Sequence, residues 1–298
     1  MERQEKLKER LDGLVSVATK GVRPPDYMIR FYNFMGRLPW KIGTNIFYWS
    51  GTDTKEVIRK AIEGHTDDAI QVLYEYRFRP RRFLLGLGDH LWQMSYNCRS
   101  VRSRGMFTRE AVRFLLEKLN GSLASLIVVS LGSGSASQML QGIADNYNHL
   151  DKREIRLILV DNDFHALETG QKNARRLGIE DLIDSRETTV GRFLREADIS
   201  SVNLVEMVGL TDYFDEEKFQ SYLRDIYRIL IEGGFFLGAN ISSKEESAYA
   251  HGVACWPKMH YRPESQIRQS LEDAGFQQIW TGRCGLYTVW LAQKLSNP

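Results

Sequence analysis

The residues best placed to do chemistry lie in the middle of the chain. The apolar run Val128 to Leu131 is followed by Gly132, Ser133, Gly134, Ser135 and Ala136, with no bulky side chain among them. An apolar strand delivered into small residues and then a helical pattern brings open backbone and unpaired helix amides to one point, where a ligand can approach closely. Glycines also serve ordinary strand-to-helix turns, so the context carries the weight. A second apolar run, Leu157 to Val160, supplies it, ending in Asp161, Asn162 and Asp163. A carboxylate at a neighbouring strand tip can accept both hydroxyl protons of a nucleoside ribose, and Asp161 is the candidate. The alternative is that Asp161 or Asp163 caps the following helix. The interval from Gly134 to Asp161 exceeds the ~20 residues usual for this pairing, and the polar stretch from Asn146 to Glu154 can absorb the excess as a surface loop.

Positioning these residues calls for an α/β fold. Apolar runs at 126–131, 156–160, 182–187, 202–206, 235–240, 276–281 and 286–292 read as strands, and amphipathic segments at 137–147, 164–177, 215–231 and 263–274 read as helices. A further helix is expected over 109–119, with Thr108 as its cap, Pro263 suits a first helical turn, and Gly233-Gly234 suits a helix exit. The last two runs are separated by only Gly282 to Gly285, a connection that permits an antiparallel pair alone. The expected fold is a Rossmann-like, seven-stranded, mostly parallel sheet with an antiparallel C-terminal hairpin, over residues 106–298.

Residues 1–105 carry helical spacing instead and read as an N-terminal cap or substrate-binding region. Leu7, Leu11 and Leu14 share one helical face, suited to a docked helix or a short dimer contact. Between Tyr27 and Trp49 come Phe31, Tyr32, Phe34, Trp40, Phe47 and Tyr48, which can line a pocket but are expected to fill the core of the cap. Two helices broken at Gly64 fit residues 55–76 as scaffold. Arg77, Arg79, Arg81, Arg82, Arg99, Arg102, Arg104, Arg109 and Arg113 follow, opposed only by Asp89 and Glu110, and suit either an anionic substrate or a solvated face.

Composition narrows the class. Forty basic against thirty-eight acidic residues leave a net charge of +2, and 43% hydrophobic residues place the chain among soluble globular proteins. Cys98, Cys255 and Cys284 are too few and too scattered for a disulfide framework or a zinc site, so no metal is expected. The opening MERQEKLKER lacks the apolar core of a signal peptide and no run approaches the ~18 apolar residues of a membrane span. The expectation is a cytoplasmic protein with no membrane partner.

Five segments, SLGSGSA at 130–136, LVDND at 159–163, LVEMVGLTDYF at 204–214, LIEGGFFLGANI at 230–241 and EDAGF at 272–276, together resemble the class I S-adenosylmethionine-dependent methyltransferases. The run at 209–213 with Trp256, Tyr261 and Arg262 looks like a group of bacterial methyltransferases. The resemblance spans about residues 106–298 and implies S-adenosylmethionine as cofactor, held by Gly132 to Ala136, Asp161, Asn162, Thr189 and Glu206. Two departures stand out: Glu232 replaces a common proline, and Ser130 replaces the acid usual at the end of strand one. Another residue can take that acid's role, the site can handle the cofactor differently, or binding can be weakened.

Within that resemblance Glu206 is the first candidate for contacting the methionine part or the acceptor, its alternative being a partly exposed carboxylate paired with an arginine. His260 and Tyr261 can close over the site, His260 as a base, with Tyr213 and Trp256 as aromatic walls for a sulfonium. Tyr96, Arg102 and Arg104 can bind substrate, the arginines through a carboxylate. Each of these also has an ordinary packing reading. The expected reaction is methyl transfer to a small molecule, with a possible dimer as its assembly. The alternatives are aminopropyl transfer or cyclisation releasing methylthioadenosine, as in azetidine-2-carboxylate formation, and binding of S-adenosylmethionine without turnover. Nucleic-acid methylation lacks its usual module and tetrapeptide here, and a nicotinamide dehydrogenase would want a glycine where Ser137 stands.

Overall fold

The computed structural model describes residues 2–64, 66–76, 83–119, 125–147 and 154–295. Arg77, Arg79, Arg81, Arg82, His65 and the loop after Tyr147 lie outside that range. The N-terminal third forms helices α1 (Glu2–Thr19), α2 (Asp26–Arg37), α3 (Ile42–Ser50), α4 (Thr52–Glu63), α5 (Thr66–Glu75), α6 (Phe83–Gln93) and α7 (Tyr96–Leu119). No described helix is long and apolar enough to cross a membrane.

The sheet contains β1 (Ser125–Leu131), β2 (Glu154–Asp161), β3 (Ile183–Glu187), β4 (Val202–Val208), β5 (Leu230–Ile241), β6 (Gln278–Cys284) and β7 (Tyr287–Gln293), in the order β3-β2-β1-β4-β5-β7-β6. The first five run parallel, and β7 pairs antiparallel with both β5 and β6. Helices α8 (Ser137–Tyr147), α9 (Phe164–Leu177), α10 (Val190–Glu196), α11 (Glu216–Ile229), α12 (Ser247–Gly252) and α13 (Glu264–Asp273) complete the chain. The chain order reverses direction at β1, between β2 and β4, and it is outside the carboxyl ends of the strands at such a switch that ligands bind.

Two apolar layers explain why the strands read as unbroken apolar runs rather than alternating ones. One face of the sheet packs on Leu115, Leu116, Leu140 and Ile143 from α7 and α8, the other on Phe219, Leu223, Ile226 and Leu271 from α11 and α13. The buried positions of α11 recur every three or four residues, and Asp215 caps it by accepting from the Lys218 amide at 2.9 Å.

Helix α7 departs from expectation because its start is not encoded locally. Thr108 sits inside the helix and its hydroxyl donates to the Arg104 carbonyl at 3.0 Å. The true N-terminus is capped from far along the chain: the Glu246 carboxylate accepts the amides of Tyr96 at 3.0 Å and Asn97 at 2.8 Å. Burial pushes the Glu246 carboxyl up to about 7, against the pull of those donors. The helix also runs straight through residue 105, where the sequence pattern changes.

The N-terminal leucines belong to a docked helix. Leu11 is fully buried, α1 lies along α7 and β6, and Trp280 donates its indole proton to Asp12 at 2.9 Å. The aromatic run divides in two. Tyr32 and Phe47 pack with Trp92 and Tyr249 in a core of edge-on and stacked rings, whereas Tyr27, Phe31, Phe34 and Trp49 face outward.

Candidate functional site

A cleft of about 440 Å³ opens at the carboxyl ends of β1, β2 and β4. Its floor is the small-residue turn. Gly132, Gly134 and Ala136 have φ of 63°, 50° and 48°, so every second residue is left-handed, a geometry glycine tolerates and alanine does not favour. A side chain at position 132 would also meet Leu210, 2.4 Å from where its Cβ would stand.

Asp161 locks this turn in place. One carboxylate oxygen accepts the Gly134 amide at 2.8 Å and the other the Asp163 amide at 3.0 Å, leaving outward lone pairs toward the cleft that both residues line. Asp163 takes the capping role instead, accepting from His165 at 2.8 Å. Asn162 and Val190 line the same wall, as does Thr189, which caps α10 by accepting from the Arg192 amide.

The opposite wall was not foreseen. Helix α5, read from sequence as scaffold, lies over the turn: Ser135 donates to the Gln71 side chain at 3.2 Å, and Asp67, Ile70 and Tyr74 face the cleft. Burial, together with repulsion from Asp68, Asp163 and Asp161, raises the Asp67 carboxyl despite a bond from the Asp68 amide. No local sequence signal separates Asp67 from any first-turn helix acid.

The strand order and the cleft can be set beside known structures. The chain aligns with a possible exported protein from Bordetella parapertussis at 15% identity and TM-score 0.61, covering 95% of this chain and 97% of that one. That likeness therefore takes in the N-terminal helices. It aligns with the CMeT domain of the citrinin polyketide synthase at 12% identity and TM-score 0.52, covering 82% and 70% respectively. The fold is that of class I methyltransferases. No family profile matches the sequence, and no curated protein does.

Within the methyltransferase fold, the acid absent from the end of β1 has a spatial substitute. Ser130 and Glu206 are register partners on β1 and β4, and the Ser130 hydroxyl donates to the Glu206 carboxylate at 2.5 Å. Glu206 is buried rather than partly exposed, and among the described residues no cation lies within ion-pair distance of it. Burial pushes it up to about 7, opposed by Ser130, the Val208 amide and Arg104.

Arg104 also lines the cleft while itself buried. Its guanidinium lies 3.8 Å from Asp212 and 4.5 Å above the Tyr287 ring, and its Nε has no hydrogen-bond partner among the described residues. Burial works against its charge, but Tyr287, Tyr74 and Asp212 outweigh that and raise its pKa. Tyr213 reaches the cleft with its hydroxyl accepting the Trp256 indole proton at 3.0 Å, and burial and Asp212 push it up to about 12.

The remaining candidates stand elsewhere. Trp256 buttresses Tyr213 from behind the wall. His260 is tied by its backbone, donating to the Asp212 carbonyl at 2.7 Å and accepting from Asn240 at 2.9 Å. Tyr261 pairs with His251 at 3.3 Å. Arg102 donates to the Gln93 carbonyl at 2.7 Å, Tyr96 lies at the start of α7 under Arg23, and none of these five lines the cleft. Among the other arginines, Arg109 pairs with Asp145 and Arg113 with Glu110, as a solvated face would. The described residues hold no cluster of metal-ligating side chains.

Proposed function

We propose that this protein is an S-adenosylmethionine-dependent methyltransferase whose acceptor is a small molecule. The observation that carries the reading is the pair of carboxylates, Asp161 and Glu206, flanking a left-handed glycine turn in one cleft. The donor set fits the cofactor: lone pairs on Asp161 suit the ribose hydroxyls, the open backbone at Gly132 to Ala136 suits close approach, and Glu206 suits the ammonium of the methionine part. The buried Arg104, with an unspent donor at Nε, suits the carboxylate at the same end.

When bound, the cofactor supplies an activated methyl group on a sulfonium. The chain's own part is positional: it holds the ribose end through Asp161, fixes the methionine end through Glu206 and Arg104, and excludes water with α5 and Tyr213. Orientation of this kind supplies much of the rate in a displacement between held reactants. A cleft of about 440 Å³ lies at the small end of ligand pockets, which favours a compact acceptor over a polymer. The same confinement keeps the aminopropyl and ring-closing reactions in view, since they need no second large substrate.

Incubation with S-adenosylmethionine and candidate acceptors, followed by mass spectrometry, separates these outcomes. Methyl transfer leaves S-adenosylhomocysteine. Release of methylthioadenosine would replace the proposal with attack on the aminopropyl carbon, and calorimetry showing no binding of S-adenosylmethionine would remove both.

A further inference from the structure

The outward half of the aromatic run forms a surface that the cleft does not use. On α2, Tyr27, Phe31 and Phe34 fall at spacings of four and three, so they share one face, and on α3 Ile42, Ile46 and Trp49 do the same. Trp49 is 72% exposed, Tyr27 71% and Phe34 61%, far beyond the scatter expected of isolated surface apolar residues. The inner sides of both helices meet in one core, with the Tyr32 and Phe47 rings 6.3 Å apart, so both stripes lie on the sides turned away from it.

Between the acids at its two ends, this segment carries charge of one sign. From Tyr27 to Gly51 the chain carries Arg30, Arg37 and Lys41 and no acid. All three are exposed, and none has an acidic partner among the described residues. Lys55 adds a fourth cation, 5.1 Å from the Trp49 ring centroid. The acids that flank this segment are Asp26, paired with Arg23, and Asp53 and Glu56 on α4, where Glu56 lies 3.8 Å from Lys60.

We propose that the α2–α3 face docks this protein on an anionic lipid surface, with the two helices lying in the headgroup plane. Aromatic and aliphatic side chains opposite a buried helix face, rimmed by arginine and lysine, have the chemistry of an interfacial helix, and tryptophan and tyrosine favour that depth. A two-fold contact with a second copy would instead set this basic face against an identical one. Peripheral attachment of this kind needs no membrane-crossing helix.

Co-sedimentation of the full chain with phosphatidylcholine vesicles, with and without phosphatidylglycerol, tests it. Three or four cations near an anionic surface give a preference on the order of a hundredfold for the mixed vesicles, weakening with salt. A Phe34→Ser/Trp49→Ser variant should bind at least about tenfold more weakly, and Arg30→Gln/Arg37→Gln should lose most of the anionic preference. Both leave the cleft untouched, so unchanged thermal melting and S-adenosylmethionine binding certify their folding. Wild-type protein left in the supernatant overturns the proposal, as does binding that neither variant alters. A wild-type dimer in sedimentation velocity that Phe34→Ser/Trp49→Ser converts to monomer would assign the face to a second copy instead.

Discussion

If Glu206 receives the ammonium of S-adenosylmethionine, binding must expel a proton. The free carboxyl sits at about 7, against 4.5 for an ordinary glutamate, because it is buried. At about pH 6 it is therefore roughly nine-tenths protonated, and pairing with a cation forces it to ionise, releasing close to one proton. Over about pH 5.5 to 7 the ionised fraction rises from ~0.03 to ~0.5, which tightens binding about 15-fold. Above that range the ligand's own amine, near 7.7–8.0, loses its charge and the gain ends. Isothermal titration calorimetry in buffers of differing ionisation enthalpy counts the released protons directly. Glu206→Gln, which keeps a partner for Ser130, should bind more weakly and with no pH dependence in this range. The stability of the free protein should move the opposite way. A carboxyl raised from 4.5 to about 7 means that the native state holds more protons, so its contribution is full below about pH 4.5 and lost by about pH 7. Glu246, raised for the same reason, adds to that slope, at most about 3 kcal/mol for each group. Pairing of Glu206 with the ligand is refuted by an affinity flat over this range, by binding without proton release, or by a Glu206→Gln variant that binds like the wild type.

Asp161→Asn should cost at least about tenfold in affinity for S-adenosylmethionine by calorimetry, because it loses the charged acceptor for the ribose and weakens the Gly134 bond. Ala136→Gly should stabilise the free protein by about 1 kcal/mol, since the left-handed φ of 48° penalises alanine, and differential scanning calorimetry should show a melting point roughly 2 °C higher. Glu246→Ala strips the acceptors from the Tyr96 and Asn97 amides, and a loss of roughly 2–4 kcal/mol should appear in urea unfolding.

The sheet was legible in the sequence because its information is local. Val202 to Met207 are all buried, and such runs, punctuated by turns like that at Gly132, mark strands without reference to anything distant, although Gly233 and Gly234, expected at a helix exit, lie inside β5. The residues singled out on those strand tips follow from the same local logic, and Gly132 to Ala136, Asp161, Asn162 and Glu206 line one cleft. What escaped depends on long-range contact. The cap of α7 is supplied by Glu246, about 150 residues away, and a sequence reading naturally settled on Thr108 instead. The role of α5 over Ser135 and Gly134 rests on tertiary packing that its amphipathic pattern does not specify. His260 and Tyr261 follow β5 in sequence, but the His260 backbone is held by Asp212 and Asn240 and the Tyr261 hydroxyl pairs with His251, so neither lines the cleft.

Because a single unbroken helix, α7, passes from the aromatic core at Tyr96 to the sheet at Leu116, the two layers are spliced by a rigid strut. A clamshell motion would have to snap its ladder of amide bonds mid-span. Any widening of the pocket would then fall to α5, ten residues that follow Gly64 at φ 87°, rather than to a hinge between whole layers.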